Sequence, residues 1–124
     1  MNSAAGIPAA VGTAVSGDAP YGVLIDSTGT YLYTANRGSA NISGYSIASG
    51  VFTALSGSPY SSGLSATALV EDNTDKYVIG AAANGSYDYT LYSFDALTVG
   101  KLDAVSVGAS GSDPAGSNAV AATH

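Results

Sequence analysis

Tyr21-Gly22-Val23-Leu24-Ile25-Asp26-Ser27-Thr28-Gly29-Thr30-Tyr31-Leu32-Tyr33-Thr34-Ala35-Asn36, running on to Ile47, decides the fold because the chain repeats it. Val23-Leu24-Ile25-Asp26 returns as Leu69-Val70-Glu71-Asp72 at an offset of 46, and Tyr31–Asn36 returns at the same offset as residues 77–82. Gly44-Tyr45-Ser46-Ile47 returns as Leu91-Tyr92-Ser93-Phe94 at 47, and Phe52-Thr53-Ala54-Leu55 as Leu102-Asp103-Ala104-Val105 at 50. The four segments keep their order, and the drift falls in the connections between them. Chance does not produce that pattern readily.

Within the first unit, residues 22–26 form a continuous apolar run, which predicts an innermost strand buried on both faces. Ser27-Thr28-Gly29-Thr30 reads as a hairpin turn with glycine where a positive φ is useful. Tyr31–Asn36 sets Tyr31, Tyr33 and Ala35 against Leu32 and Thr34, the two-residue period of a strand packed on both sides. Residues 36–40 turn, 41–47 form a third strand, 48–50 turn again and 51–55 form a fourth. Residues 56–63 cross to the second unit, whose strands are expected at 66–71, 77–83, 87–94 and 102–107. Apolar residues at helical spacing never persist over two turns, so the chain reads as all-β. A period of roughly 40 to 50 residues carrying four short strands is that of a propeller blade. The expectation is a partial β-propeller of two four-stranded antiparallel blades at 20–55 and 64–107. Residues 9–15 are read as the outer strand of a preceding blade, in the place of 52–55, and 117–124 as the first strand of a following one.

Composition narrows the function classes. Hydrophobic residues make up 46% of the 124, enough for a modest core, while charged residues are only 10%, against about 25% on average. Three basic residues against nine acidic give a net charge of −6. Such a surface has little with which to neutralise phosphates, so neither nucleic acid nor an anionic membrane is expected as a partner. The absence of cysteine excludes disulfides and thiolate metal sites. No apolar run is long enough to span a membrane, and residues 1–10 lack the basic region of a signal peptide. A weakly charged chain rich in Gly, Ser and Thr has the composition of a bacterial exported protein, which places it outside the cell or in the periplasm.

Pro20-Tyr21-Gly22-Val23, followed by Asp26-Ser27-Thr28-Gly29-Thr30-Tyr31-Leu32-Tyr33-Thr34-Ala35-Asn36, resembles the YVTN-type repeat of the lactonase-like seven-bladed β-propellers. That group is similar to 6-phosphogluconolactonases and muconate-lactonising enzymes. The resemblance covers residues 20–55 well and 66–107 more loosely. It implies a ring of blades and, for a complete ring, hydrolysis of a lactone at a site built by several blades. A seven-bladed ring needs about 300 residues. Two blades alone would leave two apolar sheet faces of roughly several hundred Å² each open to water. Either the sequence is a segment of a longer propeller, or copies associate so that blades stack between chains. Association is preferred, with residues 9–15 of one copy completing the blade begun by 118–123 of another. The alternative is a fragment of a lactone hydrolase whose site needs the full ring.

Residues expected on the ligand-binding face of such a fold lie in the turns after second strands and in the crossings. These are Asn36, Arg37, Ser39, Ser58, Tyr60, Asn84, Ser86 and Asp113, of which Asn36, Arg37, Tyr60, Asn84 and Asp113 are retained as a weak substrate site for a small molecule. Arg37 is the sharpest candidate, because its planar fork can hold two oxygens of a carboxylate or phosphate at once. Its plainer reading is a solvated turn arginine paired with Asp18 or Asp113. The second unit has Ala82-Ala83-Asn84 where the first has Asn36-Arg37-Gly38, so no second arginine reinforces it. Glu71 and Asp72 could act as an acid–base pair or, with Asn73 and Asp75, bind a hard cation. Asp72 matches Asp26 in the repeat, however, and reads better as a turn residue. His124, the lone histidine, supports neither a zinc site nor a triad. The Asn-x-Ser matches at Asn41 and Asn84 are read as chance. No catalytic residue, cofactor or metal is assigned. The tyrosines at matching positions, Tyr31 with Tyr77 and Tyr45 with Tyr92, read as packing between blades, whereas Tyr60 and Tyr87 are expected in turns, freer to meet a ligand.

Overall fold

Alternating residues of the repeated segments have to place one face of each sheet against the other, and the backbone register shows that they do. The computed structural model describes residues 9–84 and 86–109. Its strands are β1 (Pro20–Ile25), β2 (Tyr31–Asn36), β3 (Asn41–Ala48), β4 (Val51–Ala54), β5 (Tyr60–Ser61), β6 (Leu64–Glu71), β7 (Tyr77–Asn84), β8 (Tyr89–Phe94) and β9 (Leu102–Gly108). β1 to β4 form one antiparallel meander and β6 to β9 a second. No helix occurs among the described residues. The protein is all-β, made of two blade-type sheets and not a closed ring.

The two sheets are built on one plan. Leu24 pairs with Tyr33 as Val70 does with Ile79, and Tyr33 pairs with Gly44 as Ile79 does with Leu91. Tyr45 pairs with Ala54 as Tyr92 does with Ala104, and Ile47 with Phe52 as Phe94 does with Leu102. Even the irregularity near the start of the first strand recurs, between Pro20 and Gly22 and between Ala66 and Ala68. The core forms where the sheets meet. Tyr33, Ala35 and Ile42 of the first sheet pack with Leu69, Val78, Tyr92 and Leu102 of the second. Burial of this apolar surface is the main favourable term available to a chain with so few charges.

Three expectations are corrected. β1 is buried on one face only, with Val23 65% and Ile25 54% exposed, because no sheet among the described residues covers its other side. Residues 9–15 form no strand, since the third strand of a preceding blade, their only ladder partner, is absent from the described residues. Their true equivalent is 55–61, the crossing, rather than 52–55. The Tyr45 hydroxyl donates to the Val15 carbonyl as the Tyr92 hydroxyl does to that of Ser61, and Ala19 and Ser65 share a positive φ, 48° and 58°. The crossing itself contains β5, which joins the first sheet by pairing Tyr60 with Ile42 and Ser61 with Asn41. Residues 117–124 lie outside the described residues.

β1 and β6 approach so closely that Gly22 cannot carry a side chain without adjustment. A methyl group there would stand 2.8 Å from the Thr67 carbonyl oxygen and 3.1 Å from the Ala68 Cα. Backbone cannot swing aside as a side chain can. Gly22→Ala is therefore expected to lower stability by about 1–3 kcal/mol, the usual range for overpacking, measured by urea or thermal melting against the unsubstituted chain.

Candidate functional site

The short polar turns that join first to second strands are each closed by an aspartate. In the first sheet Asp26 closes its turn from inside. One carboxylate oxygen accepts from the Thr30 and Tyr31 amides (2.9 and 2.7 Å), and the other from the Thr28 amide and hydroxyl. Asp72 does the same with Lys76 and Tyr77 (3.0 and 2.8 Å) and with Thr74. The Thr74 hydroxyl and these amides hold the Asp72 carboxyl down at about 2. The left-handed position of each turn is filled by Gly29 (φ 71°) in one and by Asp75 (φ 57°) in the other. Asp72 is thus a turn residue, as its match to Asp26 indicated.

One carboxylate departs from the repeat. Glu71 stands where the first unit has Ile25, and it reaches across the seam between the sheets. Its Oε2 accepts from the Ser27 amide at 2.6 Å, and only 7% of the residue is exposed. Burial pushes the Glu71 carboxyl above its ordinary value of 4.5, helped by the neighbouring charges of Asp26 and Asp75 and opposed by the hydrogen bond from Ser27. A second polar clamp crosses the same seam, from the Tyr33 hydroxyl to the Gly100 carbonyl at 2.6 Å. Burial raises that phenol, and raises Tyr92 to about 12. Between the clamps lies a cavity of about 310 Å³, lined by Asp26, Tyr31, Glu71, Asp75, Phe94 and Asp95 among others. Three of its four carboxylates already have structural work. Asp26 holds a turn, Glu71 holds the seam, and Asp95 pairs with Lys101 at 2.9 Å, whose ammonium holds its carboxyl well below the usual range. No group of three or more His, Cys, Asp or Glu side chains among the described residues is arranged to bind a metal ion.

The residues expected to meet a substrate fall into two sets. Asn36 is fully buried. Its amide donates to Asn41 Oδ1 (2.8 Å) and Ser43 Oγ (2.9 Å), and its oxygen accepts from the Thr34 hydroxyl (3.2 Å). Tyr60 is buried in the core, not free in a turn, and its hydroxyl donates to the Ser56 carbonyl at 3.0 Å. Ser58 accepts from the Gly44 amide and Ser39 from the Asp18 amide. Arg37 and Asn84 are exposed. The Arg37 guanidinium lies 4.9 Å from the centre of the Tyr21 ring and forms no ion pair with Asp18, while Asn84 donates to Ser65 Oγ at 3.0 Å. Asp113 and His124 lie outside the described residues. Sequence reasoning missed the Glu71 clamp, although a carboxylate replacing Ile25 in an otherwise apolar repeat was the visible sign of it.

Apolar depressions also mark the two outward sheet faces. On the first sheet Val23, Leu32, Tyr45 and Phe52 line a shallow groove. On the second, Ile79, Tyr89 and Leu91 line a depression of about 390 Å³. Tyr89 is 40% exposed, whereas its repeat equivalent Ile42 is fully covered.

No protein-family model matches the chain, and no curated protein does. The chain is similar in fold to a solved structure described as a functionally unknown protein from Desulfotomaculum acetoxidans DSM 771, with a TM-score of 0.61 and 14% sequence identity. The match covers 73% of this chain and 27% of that one, so the protein spans about a quarter of the length of its structural neighbour. The likeness is one of fold.

Two substitutions test these assignments. Asp26→Ala strips a carboxylate acceptor from the Thr28, Thr30 and Tyr31 amides and the Thr28 hydroxyl and is expected to cost about 1.5–3 kcal/mol, the range for hydrogen bonds to a charged group, in chemical melts. Glu71→Gln isolates the buried carboxyl. Because the folded-state value of Glu71 is raised, its contribution is fully present below the ordinary value and is lost as pH rises through the raised one. As pH rises from the ordinary value of 4.5 through the raised one, the unsubstituted protein should therefore lose stability relative to Glu71→Gln; a difference curve that stays flat or slopes the other way would refute the assignment.

Proposed function

We propose that the protein is a propeller segment that works by association, its open blade faces and edges serving as the interaction surface for further copies. The observation that carries this reading is the pair of apolar sheet faces that no further sheet covers among the described residues; residues 11–15 reach the first of them, beside Gly50 and the Tyr45 hydroxyl. Val23, Ile25 and Tyr89 are all 40% or more exposed, although each belongs to a β-strand of a blade. Soluble chains seldom leave such patches uncovered unless a partner uses them. The buried seam supports the reading, since it shows how well two such faces close. The polar residues first expected at a substrate site support it as well, because Asn36 and Tyr60 are committed to internal hydrogen bonds.

The test is the mass of the full chain in solution by light scattering after gel filtration, over a range of concentrations. Association into dimers or higher species is expected. A concentration-independent monomer with a cooperative melt would refute the reading.

A further inference from the structure

Resting on that reading, we infer that the joint between copies is head-to-tail: the outward face of the second sheet docks on the outward face of the first sheet of another copy, reusing the geometry of the internal seam. The repeat dictates the pairing of faces. Inside the chain, Tyr33, Ala35 and Ile42 meet Leu69, Val78, Tyr92 and Leu102. The residues equivalent to the first group are Ile79, Ala81 and Tyr89, all on the open face of the second sheet. Those equivalent to the second group are Val23, Leu32, Tyr45 and Phe52, all on the open face of the first. Each open face is thus an apolar copy of one that is already covered, and the two are complementary to each other rather than to themselves. Contacts of this kind are heterologous, and repeat in rings or filaments instead of stopping at a two-fold dimer.

The joint differs from the internal seam in its polar contacts and in its closest backbone approach. Ile25 stands where Glu71 does and Ile79 where Tyr33 does, so neither polar clamp recurs, while Tyr89 brings a phenol where the seam has Ile42. Buried charge is absent from it, which removes the desolvation cost that Glu71 carries inside. Ala68 replaces Gly22, the residue without room for a methyl, so copies must stand slightly further apart along β1 and β6.

Two face-blocking variants of the full chain decide the matter. Val23→Arg blocks the first face and Tyr89→Arg the second, both at exposed positions. Leu32→Lys and Leu91→Lys form a second pair in case either fails to fold, folding being followed by circular dichroism melts. Each variant alone is expected to be monomeric, and an equimolar mixture should restore one joint, giving a species of about twice the mass and nothing larger. If one variant stays dimeric while the other is monomeric, or if mixing two monomeric variants restores nothing, head-to-tail docking is overturned while self-association stands. Variants that both assemble like the unsubstituted chain would place the joint elsewhere and also overturn it. An unsubstituted chain that is itself monomeric overturns the association reading beneath it.

Discussion

A sheet that is apolar on both sides is stable only as the filling between two others, and the closure of one such pair of sides organises this molecule. Tyr33, Ala35 and Ile42 on one sheet and Leu69, Val78, Tyr92 and Leu102 on the other remove each other from water. The turns, bulges and crossing can be understood as what keeps those seven side chains in register. Asp26 and Asp72 fix the hairpins that set the alternation of β2 and β7, because a one-residue slip would turn each apolar set to the wrong face. Gly22 lets the two first strands come within contact of their backbones.

Two polar groups at the seam are paired across it. Glu71 gains the Ser27 amide and Tyr33 gains the Gly100 carbonyl, each crossing from one sheet to the other. An uncompensated carboxylate in that position would be costly, and the raised titration of Glu71 is the residue of that cost after its hydrogen bond is counted. The clamps add direction to an interface whose hydrophobic part has none.

The sheet order and pairings were legible because duplication offers an internal control: a pattern seen once in Tyr31–Asn36 is weak, and the same pattern 46 residues on is strong. Spacing could not reveal which way a turn residue points. Asn36 looks like a rim residue in Asn-Arg-Gly, yet its partners Thr34, Asn41 and Ser43 are all within seven residues and draw it inside. Tyr60 reads as a turn tyrosine because Gly57 and Pro59 precede it, and only the pairing with Ile42 shows that the crossing rejoins the sheet it is leaving. Residues 9–15 were placed one segment out of step, since their Gly/Ser-rich continuation resembles more than one part of the repeat. The crossing has a similar composition, and hydroxyl donors as distant as Tyr45 and Tyr92 were needed to align the two.

β5 belongs to the first sheet by its hydrogen bonds and leads directly into the second by covalent order, with the Tyr60 ring held in the core both share. The boundary between the repeats is therefore sewn rather than hinged. In arrays where each unit holds itself together, unfolding can creep along the chain one module at a time. Here, losing either half would withdraw a strand or a wall from the other, so the two halves stand or fall as a single thermodynamic body.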